Sequence, residues 1–169
     1  TERMRIDASG NVFIGKTAES TTQDGFQFKQ SGECIIGRGA NDTVFIFQDT
    51  NNSANTVGNI SITNSNTAYN TSSDYRLKEN VTTSWDATTR LKQLKPSRFN
   101  FIIDADKTVD GFLAHEVSSI VPEAITGEKD AVDTDGNAVM QGIDQSKIVP
   151  LLVKTIQELE ARITALENA

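Results

Sequence analysis

The closing stretch "IVPLLVKTIQELEARITALENA" limits the possible folds more than any other part of the chain, because its apolar residues recur at alternating steps of three and four. Val149, Ile156 and Ile163 hold one heptad position and Leu152, Leu159 and Leu166 the other, a seam sustained for almost three heptads. A helix over about residues 147–167 with such a seam wants partner helices. β-branched residues at the first position with leucine at the second lean toward two strands in isolated parallel coils, so the seam argues for self-association without fixing the number of copies. Pro150 fits only in the first turn, where its missing N–H costs nothing, or at a kink. The plainer alternative is an amphipathic helix packed on its own domain.

Composition points the same way. One or two domains fit into 169 residues, and 37% hydrophobic content with 7% aromatics is low for a chain that buries one large core by itself. The net charge of −7, the pI near 4.7 and the lack of a Lys/Arg cluster argue against a nucleic-acid partner. Cys34 is the only cysteine, so one chain can build neither a disulfide framework nor a thiolate zinc site. No apolar run approaches the ~20 residues that span a bilayer, so no membrane role is expected. The opening "TERMRIDASG" has no initiator methionine or signal segment, and a piece of a longer chain is expected.

The first half carries an internal repeat. "MRIDASGNVFIGKT" from Met4 and "FQFKQSGECIIGRG" from Phe26 superimpose at an offset of 22 residues, and each copy predicts strand, Ser-Gly turn, strand. Further strands are expected at Val44 to Phe47 and Val57 to Thr63. From Asp49 to Ser73 the only charge is Asp49, and Asn, Ser and Thr dominate. That composition fits either a linker, too poor in apolar groups to offset its ordering entropy, or extended backbone wound with copies of itself. The second is favoured, with hydrogen-bond ladders between chains.

After Ser73 the pattern becomes α+β. "WDATTRLKQL" has helical spacing, and "SRFNFII" (Ser97 to Ile103) alternates as a strand after the break at Pro96. "GFLAHEVSSIVP" predicts a short strand entering a helix that stops near Pro122. "AITGEKDAVDTDGNAVMQGID" is expected to be an exposed hairpin turning at Asp135-Gly136.

"TSSDYRLKEN" poses the chemical question. A serine hydroxyl is a poor nucleophile until a base takes its proton, and a lysine can do so only as the neutral amine, a form that burial favours. Ser73 and Lys78 are five apart, which on a straight α-helix is about 500°, or roughly 140° off the same face. A bend at Ser73, with the helix starting near Asp74 or Tyr75, or a lysine from a neighbouring copy, would bring the groups together. The bland alternative makes Ser73 or Asp74 an N-cap and leaves Lys78 solvated. His115, the only histidine, is expected to be a partly buried structural imidazole. Asp104, Asp106 and Asp110 are expected in a solvated turn, short of a calcium loop's ligand spacing, and "GRGANDT" lacks the lysine of a phosphate loop. No metal or cofactor site is predicted.

Taken together and in order, "SSDYRLKENV", "LKPSRFNF" with the helix before it, "GFLAHEV", "VPEAITG" and "KIVPLLVKTIQELEARI" resemble the C-terminal intramolecular chaperone domain of bacteriophage tailspike, tail-fibre and neck-appendage proteins, the self-cleaving S74 peptidases. The resemblance covers about residues 72–169. It implies an α+β chaperone domain over 73–169 ending in a coiled-coil helix, preceded over 1–72 by the end of an all-β fibre, a triple β-helix or β-prism wound from three chains. It further implies a homotrimer that registers its own upstream segment as client and then releases itself in a single turnover. Carried over residue by residue, Ser73 is the nucleophile and Lys78 its general base, Asp74 and Arg76 match the motif, and the hairpin from about Ala124 to Ile143 grips the nascent fibre. In "GFLAHEV", His115 stands where the resemblance implies glutamine, at a position outside the serine-lysine pair. A five-membered ring for attack on the carbonyl before Ser73 favours the Ser72–Ser73 bond, and attack from another direction or chain would cut Ser73–Asp74. The fibre part is expected in a virion tail or neck appendage after synthesis in the host cytoplasm, with any receptor or glycan bound through a preceding region. Two rivals stand beside this: a non-cleaving trimerisation or adhesin tip, and the same module freeing an N-terminal effector in a cellular protein.

Overall fold

The computed structural model describes residues 3–19, 23–38, 42–50 and 55–169, without the side chain of Asn55. The chain divides into two compact units, Thr1–Val81 and Thr82–Ala169.

The first unit is all-β. Strands β1 (Met4–Ile6), β2 (Val12–Ile14), β3 (Gly25–Phe28) and β4 (Cys34–Gly37) form an antiparallel meander in that order. The repeat is exact in register: Met4 faces Ile14 as Phe26 faces Ile36, and Ile6 faces Val12 as Phe28 faces Cys34. Both turns close in the same way, with Asp7 N–H donating to Asn11 O and Lys29 N–H to Glu33 O, and with Gly10 and Gly32 at φ 83° and 92°. A glycine is needed there because the left-handed conformation crowds any Cβ. Phe13 fills the sheet's buried face beside Gln27.

Strands β5 (Asp42–Asp49), β6 (Asn55–Ile62) and β7 (Thr67–Thr71) make a second antiparallel sheet. Within the Asn/Ser/Thr-rich run, Asn55–Ile62 and Thr67–Thr71 are therefore paired strands rather than linker; residues 51–54 lie outside the described ones. Backbone ladders order it in place of an apolar core. A side-chain ladder adds to them, with Asn70 Nδ2 donating to Asn59 Oδ1 at 2.8 Å and to Ser61 Oγ at 3.2 Å.

The second unit is α+β. Helix α1 (Ala87–Leu91) is N-capped by Asp86, whose carboxylate accepts from Thr89 N–H. Strands β8 (Ser97–Phe101) and β9 (Asp104–Gly111) follow as a hairpin, then helix α2 (Ala114–Val117). Strands β10 (Ile125–Thr126) and β11 (Gly142–Ile143) close the base of the expected long hairpin. At its far end Gly136 takes φ 82°, and the Asp133 carboxylate accepts from Asp135 and Asn137 N–H. Helix α3 (Val149–Glu167) ends the chain, with Pro150 in its first turn. The core gathers Ala87, Leu94, Val117, Ile120, Val121, Ala124, Ile148 and Leu151.

Three expectations need correction here. The strand from Ser97 stops at Phe101, and Ile102 and Ile103 form the exposed hairpin tip, because apolar alternation alone does not mark where a chain reverses. Asp104, Asp106 and Asp110 sit in β9 rather than in a turn, and Asp110 is held by an ion pair to Arg98. His115 is exposed, not partly buried: α2 is a single turn, and it puts Val117 rather than His115 into the core.

Helix α3 packs by one face and leaves its other apolar residues exposed. Leu151 and Thr155 are buried against the unit, together with Ile148 just before the helix. One turn further on, Glu158 accepts from Ala87 N–H at 3.0 Å, Thr88 N–H at 2.8 Å and Thr88 Oγ1 at 2.6 Å. Its carboxylate thus satisfies free donors at the start of α1. The predicted seam lies on other faces: Val149, Leu152, Ile156, Leu159, Ile163 and Leu166 are all exposed.

Candidate active site

The candidate site is one tight turn at the end of the β unit. Asp74 (φ −64°, ψ 137°) and Lys78 (φ −126°, ψ 140°) are extended, and Tyr75–Leu77 between them form a 3-10 turn. Leu77 N–H donates to Asp74 O and Lys78 N–H to Tyr75 O, both at 3.1 Å. Extended residues on either side of one turn fold the chain back, where a continuous helix would have sent Ser73 and Lys78 to different faces. Lys78 Nζ consequently donates to Ser73 Oγ at 2.6 Å. The expected bend and the expected N-cap occur together: Asp74 caps the turn, and the same turn brings serine and lysine into contact.

Asp74 and Arg76 lock this geometry. Arg76 Nε donates to Asp74 Oδ1 at 2.9 Å and Arg76 Nη2 to Asp74 Oδ2 at 2.8 Å, while Arg76 N–H also donates to Oδ1. The two-pronged match of guanidinium and carboxylate fixes orientation as well as charge. The Arg76 side chain holds the Asp74 carboxyl below its ordinary value, helped by the Arg76 N–H and by the charge of Lys78. Arg76 is held more firmly protonated in return.

On the other side of Ser73, Ser72 is tied to strand β6. Its N–H donates to Val57 O at 3.0 Å and its hydroxyl to Thr56 O at 2.6 Å. The two adjacent serines thus have different partners, one on the sheet and one on the lysine. Residues 72–84 are exposed throughout, Lys78 included, and the apolar Tyr75, Leu77 and Val81 among them stand open to solvent. The burial expected for the lysine is not supplied by its own unit.

The Ser72 tether was not legible in the sequence: the strand expected from Val57 begins one residue after Thr56, and no pattern in the Asn/Ser/Thr run shows which later residues pair with it. Glu158 was also missed; its only signal is the helix start at Asp86–Thr88, whose free N–H groups need acceptors. Among the described residues no cluster of three or more His, Cys, Asp or Glu side chains is placed to hold a metal ion, and no helix is long and apolar enough to cross a membrane.

No curated protein matches the chain. Residues 73–126, which open on the serine of this turn and run to the end of β10, match the family model of the S74 peptidases, described as the chaperone of endosialidase, and this is the family that the sequence resembles.

Proposed function

We propose that the chain is an intramolecular chaperone with its client attached: residues 73–169 trimerise, hold three copies of residues 1–72 in register while these wind into a phage fibre, and then cut themselves free at Ser73. The observation that carries this is the 2.6 Å contact of Lys78 Nζ with Ser73 Oγ, at the start of the segment that matches the endosialidase chaperone family. Lys78 as a neutral amine takes the hydroxyl proton, and Ser73 Oγ attacks the carbonyl carbon of Ser72 through a five-membered ring. The Ser72–Ser73 C–N bond breaks as its nitrogen gains a proton, leaving an ester. Water then hydrolyses the ester to a Ser72 carboxylate and restores the Ser73 hydroxyl.

One chain leaves the pair open to water, and a base that acts as the neutral amine is favoured by drier surroundings than that. The exposed apolar residues beside it, Tyr75, Leu77 and Val81, fit a surface that other copies cover on assembly. The exposed seam of α3 supports the same assembly, because its apolar stripe is not the face that packs on its own unit.

A clamp of this kind has a physical purpose. Threefold β winding depends on non-local pairing and is slow and open to register error. Joining three chain ends raises their effective concentration to roughly millimolar. Once wound, the fibre is kinetically trapped and no longer needs the clamp. The test is a denaturing gel on freshly synthesised chain: the wild type should convert to two fragments, while Ser73→Ala and Lys78→Ala should each stay whole. A chain of either variant that still cuts at the same place would remove the dyad.

A further inference from the structure

Building on the proposed self-cleavage, we propose that Ser72 is a positioning residue that makes cutting conditional on completion of the client's last strand pair. Its hydroxyl and N–H bonds to Thr56 O and Val57 O fasten the acyl side of the scissile bond to β6.

The two sides of the reaction are held by contacts of different range. Ser73 Oγ is placed by Lys78, five residues away, within a turn that needs only local sequence. The carbonyl carbon it must attack belongs to Ser72, whose hydroxyl partner is 16 residues upstream. That second anchor exists only when β6 and β7 are paired. The chain builds in a close approach at this point: Gly58 stands opposite Thr71, and a Cβ on Gly58 would meet Asn70 O at 2.6 Å. With no side chain in the way, β7 comes near enough for the pairing to run one residue past its end and include Ser72.

Three consequences follow. An unpaired client leaves the Ser72 carbonyl free to rotate, so the local serine-lysine contact forms without a fixed target. A paired client fixes the target, and a reaction that depends on near-attack geometry speeds up. Engaging the Ser72 hydroxyl with Thr56 O also keeps it from competing with Ser73 for the lysine. The covalent steps are those given above, and Ser72 contributes only the held carbonyl.

The full chain is synthesised in a cell-free system, quenched in denaturant at intervals and weighed by mass spectrometry, over a range of pH. Ser72→Ala is expected to lower the first-order cleavage constant by about tenfold or more. Ser72→Thr, which keeps an O–H donor at the same atom, is expected to stay within about threefold of wild type. The pH profile should keep its shape in both, since the lysine is untouched. Ser72→Ala cutting at the wild-type rate, or Ser72→Thr as slow as Ser72→Ala, overturns the positioning role while the self-cleavage stands. A wild-type chain that stays whole overturns the self-cleavage itself and this role with it, a pattern distinct from the other two.

Discussion

Glu158, in the middle of the last helix, accepts three hydrogen bonds from Ala87 and Thr88 at the start of the first helix of its unit. A single carboxylate thereby ties the C-terminal helix to the body of the unit, one turn beyond the buried Leu151 and Thr155. The exposed seam residues take no part in this attachment, so attachment to the unit and the proposed self-association are separable by mutation.

Glu158→Gln should therefore lower stability at neutral pH. The Thr88 hydroxyl, followed by the Ala87 and Thr88 N–H groups, holds the Glu158 carboxyl below its ordinary value. A depressed carboxyl adds stability that is fully present above its unfolded value and is lost as pH falls through the lower folded value. Thermal melts of wild type and Glu158→Gln should differ near pH 7 and converge in acid. An equal gap at both ends of the range would show that the charge plays no part.

The two faces of the same helix should give different failures. Leu151→Ala opens a cavity in the core and should destabilise the unit by about 2–5 kcal/mol in chemical denaturation. Ile156→Ala combined with Leu159→Ala removes exposed surface only, and should leave the melting of a single copy little changed while lowering the assembled mass in light scattering. A trimer that survives the double substitution would separate the seam from assembly.

Asp74→Ala should slow self-cleavage without abolishing it, because Ser73 and Lys78 remain while their turn loses its cap and its guanidinium clamp. A tenfold to hundredfold loss is the expected order. Arg76→Lys should not restore the clamp, since an ammonium cannot span both carboxylate oxygens. The check is the cleavage time course of each variant. Wild-type rates in both would show that the turn holds its shape unaided.

Much of this was legible from residues alone, for reasons tied to local pattern. The 22-residue repeat appears as two hairpins of equal register, because Ser-Gly pairs fix where each chain reverses. The hairpin base at Ile125 and Ile143 and the helix from Val149 also came from local signals, turn glycines and a three-four apolar spacing. The serine-lysine contact was only half legible: spacing on a helix denies it, and the deciding 3-10 turn is set by Asp74 and Arg76 side chains rather than by any period. Strand β7 was not marked off within the extended run, because Ala68 and Tyr69 stand side by side in Thr67–Thr71 and give no alternation, so hairpin ladder bonds to β6 place it. His115 was misjudged for the reverse reason. Its apolar neighbours imply burial, yet a helix of one turn has room for only one of them in the core.

The most direct test of the central claim is intact mass under denaturing conditions on wild-type chain allowed to assemble. Cleavage between Ser72 and Ser73 predicts two species, of about 72 and 97 residues, the larger beginning with Ser73. A single species of 169 residues after full assembly, or a break away from Ser73, would contradict it.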